Sequence, residues 1–140
     1  MPLSKLKRVC GWHWDSSEVE MPILDIEIVL QPEESIPSNL ARELADKAGA
    51  IFGSKPAQTW VKLREIEADH YAENDVAALE FFPVFVSVLK ADLPSGEVME
   101  AEVKELTQAI ADICHRPPEN VHIVYLPPGR GRVAFGGKLV

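Results

Sequence analysis

The residues with the most chemical potential are a proline at the head of a strand and a set of scattered cations. Met21-Pro22 opens directly into the alternating stretch Ile23-Leu24-Asp25-Ile26-Glu27-Ile28-Val29. A proline whose nitrogen is the chain terminus is a secondary amine that can act as a base. In a peptide bond the same nitrogen has neither a proton to give nor a usable lone pair. Lys62 and Arg64 alternate with Val61 and Leu63 and so share one strand face with Trp60. A guanidinium there can grip a carboxylate bidentately, which an ammonium cannot. That pair also fits a solvated strand face or salt bridges between subunits, which is the stronger reading. His70-Tyr71 lies in a polar loop, where Tyr71 is a candidate for a pocket mouth and a plain loop is the simpler account.

Other catalytic patterns fail. Gly129-Arg130-Gly131 with Gly136-Gly137-Lys138 resembles a phosphate loop, but a P-loop needs a helix behind it and the sequence stops at Val140. Glycines that let the tail lie across a neighbouring subunit explain it better. Cys114-His115 has no second pair at metal-ligand spacing, so no metal site is expected. No serine or cysteine sits in a nucleophile turn.

The 140 residues carry a formal net charge of -8, with 14 Lys and Arg against 22 Asp and Glu. No basic block exists, which disfavours a nucleic-acid partner. No segment approaches the roughly 20 apolar residues of a membrane span. Residues 1–20 hold Lys5, Lys7 and Arg8 without the apolar run of a secretory signal. Cys10 and Cys114 then read as free thiols, and the cytoplasm is the expected compartment.

What positions these residues is a repeat. Displaced by 61 residues, Pro22 falls on Pro83, and Lys55-Pro56-Ala57-Gln58-Thr59 falls on Arg116-Pro117-Pro118-Glu119-Asn120. Strands are expected over Ile23–Leu30, Trp60–Ile66, Val84–Leu89 and Val121–Leu126. Between them, Leu40, Leu44, Ala48 and Ile51 share one helical face, with Pro37 or Ser38 near the start and Gly53 as terminator. Met99, Val103, Leu106, Ile110 and Ile113 share another, with Ser95 as N-cap and Pro117 as stop. Each half therefore reads strand–helix–strand, and such a crossover joins parallel strands. The expected architecture is α+β, a four-stranded sheet with two helices on one face. It forms one domain over 21–140 (units of about 22–80 and 83–140), with 1–20 as an extension. Phe81, Phe82, Val84, Phe85, Val86 and Val88 form a nearly continuous apolar run. Two helices leave too much apolar sheet uncovered, so self-association through the sheet is expected.

With Pro22 heading its strand, Lys55-Pro56-Ala57-Gln58 before the second strand and the tail Val133-Ala134-Phe135-Gly136-Gly137-Lys138, residues 21–140 resemble the tautomerase superfamily. Its best-known members are 4-oxalocrotonate tautomerase and macrophage migration inhibitory factor. The resemblance implies a fused double β-α-β subunit, a homotrimer, and a cofactor-independent isomerase that moves a proton on a small anionic keto or enol acid. It implies Pro22 as base, Lys55 as carboxylate holder and Phe135 near the substrate. His122 matches a position that carries tyrosine in macrophage migration inhibitory factor, close to a neighbouring subunit's proline. An imidazole there can still donate a hydrogen bond, and an interface histidine is the plainer reading.

Residues 1–20 allow three accounts. Met21 is the true initiator and Pro22 a free amine; or the extension is genuine and the protein a non-catalytic, small-molecule- or protein-binding trimer, with Trp12 and Trp14 docked over the pocket or a trimer edge; or Pro2 is the terminal base. The last carries the largest ordering cost, about 1–2 kcal/mol per fixed residue.

Overall fold

The repeat folds as two units in the same register. A computed structural model describes residues 21–140; Pro2, Cys10, Trp12 and Trp14 lie outside it. Strand β1 (Ile23–Val29) pairs in parallel with β2 (Trp60–Ile66), and β3 (Val84–Leu89) with β4 (Val121–Tyr125). Ile23 lies opposite Trp60 and Val84 opposite Val121, the same pairing 61 residues on. The two units join through an antiparallel β1–β3 pair, giving a mixed α+β sheet of order β2-β1-β3-β4. Pro22 and Pro83 therefore sit at opposite ends of the sheet. The tail adds a short hairpin, β5 (Ala134–Phe135) and β6 (Lys138–Leu139), which the sequence pattern does not announce.

Helix α1 (Leu40–Phe52) begins at Asn39 rather than at Pro37 or Ser38, and the Asn39 amide donates to Glu43 (2.7 Å). Gly53, with φ +66°, closes it in the left-handed conformation that costs glycine least. Helix α2 (Gly96–Cys114) follows Ser95, whose hydroxyl makes no capping bond, and ends on His115 at φ +55°. The Arg116 N–H then bonds the Ala111 carbonyl (2.9 Å). Neither helix is long and apolar enough to cross a membrane.

The core lies between one sheet face and the two helices. Leu24, Ile26, Ile28, Val84, Val86 and Val88 meet Leu40, Leu44, Ala48, Leu106 and Ile110, all nearly inaccessible. Strand alternation splits the apolar run of β3, sending Phe85 and Leu89 to the opposite face with Ser87. That open face is less apolar than composition suggests, because Asp25, Glu27, Lys62 and Arg64 occupy its β1–β2 half.

One buried cation ties both units together at the Pro83 end. Arg116 is 6% exposed. Its guanidinium donates to the carbonyls of Phe82 (2.7 Å), Val29 (2.9 Å) and Cys114 (3.2 Å), and to both Glu34 oxygens (2.6 and 3.0 Å). Every donor direction is used, which offsets the cost of burying the charge. The same arginine holds the Glu34 carboxyl below its ordinary value of 4.5.

Two outcomes follow. Arg116→Met strands Glu34 and three carbonyls and should cost about 3–5 kcal/mol in urea unfolding. A carboxyl whose folded value is depressed stabilises above its unfolded value and ceases to do so as pH falls through the folded one. Wild type should therefore lose stability on acidification below 4.5, and Glu34→Gln should show a shallower loss; parallel pH profiles would contradict this.

Candidate active site

The neighbourhood of Pro22 is built by three segments. The proline is almost wholly buried at the head of β1, and its carbonyl accepts from the Trp60 N–H (2.9 Å). That bond brings the loop carrying Lys55 to the same end of the sheet. The loop is fixed internally: Gln58 N–H bonds the Lys55 carbonyl (3.1 Å), the Thr59 hydroxyl meets Ser54 (2.7 Å), and the Trp60 indole donates to Ala57 (2.8 Å). Lys55 itself is exposed and lines a shallow depression with Asp46, Gly49, Ser54, Pro56 and Thr59.

The tail supplies the third segment. Phe135 stands edge-on to Trp60, with ring centres 5.2 Å apart. The Gly129 N–H bonds the Lys90 carbonyl (2.8 Å), and Val133 N–H returns to the Gly129 carbonyl (3.1 Å). This turn closes over Met21, which is 1% exposed and packs with Ala91, Leu89, Val133, Phe135 and Val140. Met21 is held at φ +53°, a conformation that non-glycine residues adopt only when the surroundings enforce it. Full burial of such a side chain contributes roughly 1.5–3 kcal/mol.

Cations near this end are mostly committed. Lys90 pairs with Glu102 (2.9 Å) and lies over the Phe52 ring, and Arg130 is clamped by Asp92 (2.7 Å). Lys62 and Arg64 stand beside Asp25 on the open face, with Nζ and Nη1 3.1 and 3.5 Å from the same oxygen, Oδ1. Neither makes an aligned hydrogen bond to that oxygen, and both side chains are more than half exposed. Such pairs contribute at most about 1 kcal/mol. They belong to the sheet face and are not gathered around Pro22.

His122 and Tyr71 lie at the other end. His122 is opposite Phe85 in the β3–β4 ladder, and Phe85 in turn is opposite Glu27, five residues and about 16 Å along β1 from Pro22. The His122 and Tyr71 rings each stand 5.6 Å from the Phe85 ring, and the Tyr71 hydroxyl donates to Glu73 (2.8 Å). Tyr71 lines a depression there with Pro32, Val76, Leu79 and Phe82. Within one chain, then, Pro22, Phe135 and the Lys55 loop come together; His122 and Tyr71 do not join them.

The packing of Met21 against Val133 and beneath Gly129 is what motif reasoning does not foresee: it reads Met21 as a start signal and Val133 as part of the tail. Gly129 drew notice only as part of a false phosphate loop. The Arg116–Glu34 pair had half a signal, since Arg116 falls on Lys55 in the repeat; Glu34 has no counterpart in the pattern. The Cys114-His115 pair separates: His115 is exposed, while the thiol is buried and pushed up to about 11. In a Cys10→Ser variant, a thiol reagent at mildly alkaline pH should leave Cys114 unmodified until urea unfolds the chain. Rapid labelling of the folded protein would contradict that burial.

No protein-family description and no curated protein matches the sequence. Solved structures do. A fused 4-OT wild-type symmetric trimer designated Q0 superposes with a TM-score of 0.67 at 18% identity, covering 84% of this chain and 94% of that one. MIF2 of Leishmania major gives 0.62 at 17% identity, over 86% and 98% of the two chains. Pt0534 inactivated by 2-oxo-3-pentynoate gives 0.66 at 17%, over 84% and 95%. Identities this low speak to architecture alone, and on architecture they agree: the chain shares the double β-α-β fold of these structures.

Proposed function

We propose that this protein is a trimeric, cofactor-independent isomerase of small keto or enol acids, active in the form whose Pro22 nitrogen is a free amine. The observation that carries the reading is the place of Pro22: almost wholly buried at a strand head, and bonded to Met21, whose apolar cluster includes Ala91, Leu89, Val133, Phe135 and Val140. A terminal amine ordinarily titrates near 7.7–8.0, and apolar surroundings disfavour its charged form. Such a nitrogen takes the enol proton and returns it to carbon, leaving the atom count unchanged. Lys55 holds the carboxylate and Phe135 forms an apolar wall. In the trimer His122 of one subunit donates a hydrogen bond near the proline of the next. Lys62, Arg64 and Tyr71 stay outside this role, tied to Asp25 and Glu73.

The seating of Met21 favours a second reading. With residues 1–21 attached, Pro22 is an amide and the protein is a non-catalytic trimer that binds a small molecule or a protein partner.

The test compares the full chain with residues 21–140 expressed from Met21, after confirming by mass that the methionine has been removed. The Pro22-first protein should ketonize phenylenolpyruvate and sediment as a trimer, and Pro22→Ala should slow it by about 10²–10⁴-fold. Because Pt0534 is inactivated by 2-oxo-3-pentynoate, that acetylenic acid is a second probe. The amine adds to the alkyne, its proton passing to carbon, so one whole reagent should appear on Pro22. An inactive, unlabelled Pro22-first protein would overturn the enzyme reading; equal activity of the full chain would overturn the role of the free amine.

A further inference from the structure

We infer that the Met21 side chain occupies a ligand pocket, and that this pocket accepts an unbranched thioether or alkyl group of the same size. The pocket is walled by Leu89, Ala91, Val133, Phe135 and Val140 and roofed by Gly129. It is fitted closely to its present occupant. A Cβ placed on Gly129 would lie 2.5 Å from the Met21 methyl, 3.1 Å from Val133 and 3.2 Å from Leu89. The Met21 methyl is the far end of a flexible side chain and must shift to admit that Cβ, while Val133 and Leu89 would have to give by a few tenths of an ångström. Glycine at 129 therefore leaves the room that the Met21 methyl uses, and a side chain there would press on the occupant and on both walls.

The position of the pocket follows from covalent geometry. Met21 is bonded to the Pro22 nitrogen, so the space its side chain fills starts one peptide unit from that nitrogen. Chain continuity and pocket filling are thus the same event. A chain continuing through Met21 blocks the nitrogen chemically and fills the adjoining cavity. A chain starting at Pro22 frees the amine and leaves an apolar cavity beside it. Only this last link rests on the proposed isomerase reading; the pocket and its occupant stand without it.

A stability cycle with a fragment probe tests the inference without using activity. In the full chain, Met21→Ala should lower the folding equilibrium constant by at least about 30-fold, as buried methionine truncations do. Dimethyl sulfide, the fragment that Met21→Ala lacks, should raise the melting temperature of that variant, ethyl methyl sulfide, the whole side chain, should raise that of the Pro22-first protein, and both should leave wild type unmoved. Gly129→Ala should lower the folding constant about threefold or more further in wild type than in the Met21→Ala variant, because only wild type holds the methyl that must be displaced. It should also abolish the effect of either sulfide. If Met21→Ala does not fold, Met21→Val supports the same cycle. Equal cost of Gly129→Ala in both backgrounds, or a sulfide effect identical in wild type and open variants, would overturn the proposal. Sulfide binding by a Pro22-first protein without isomerase activity would retain the pocket and reject only the catalytic reading.

Discussion

The hydrogen bond from the Trp60 N–H to the Pro22 carbonyl starts the parallel β1–β2 ladder, and the rest of the molecule is arranged around that start. Parallel neighbours need a crossover, so α1 must follow β1 before β2 can pair. The second unit repeats this with α2, and joining the units through antiparallel β1 and β3 sends the two proline-headed ends to opposite ends of the sheet. Two equivalent ends then met different fates. At the Pro83 end the cation before the second strand, Arg116, is buried and committed to Glu34 and three carbonyls. At the Pro22 end its counterpart, Lys55, is exposed at the surface. One end is a structural knot, and the other gathers Pro22, Phe135 and the Lys55 loop.

Much of this was legible because strand and helix periodicities are local. The alternation in β1 and the stripe of Leu106 and Ile110 name their buried faces without reference to any distant residue. The repeat then fixed which strands pair, since two similar units must pair alike. Reading failed where the signal is long-range. Glu34 meets Arg116 across 82 positions, and nothing in the sequence around either residue implies the other. The apolar run from Phe81 overstates the open sheet face, because Phe81 and Phe82 precede the strand and the β1–β2 half of the face is charged. Met21 was readable as a start signal, but its packing depends on Gly129 and Val133, more than a hundred residues away.

Pro22 is where stability and chemistry compete. As an amide it is a strand-heading proline like Pro83, with Met21 contributing apolar burial and the tail closing over both. In the proposed isomerase the amine form gives up that packing and gains a base in apolar surroundings. Both states use the same wall residues, so the tail that stabilises one is the pocket of the other. The sheet-face pairs of Lys62 and Arg64 are indifferent to this choice, which separates them from the site.

The central claim is that a free Pro22 nitrogen sits in surroundings that favour its neutral form. A nitrogen-15 NMR titration of Pro22-first protein labelled at proline measures this directly. The account predicts a single proline amine titrating below the ordinary range of about 7.7–8.0, with no transition from Pro22 in the full chain, where it is an amide. A Pro22 amine titrating at or above that range would contradict it.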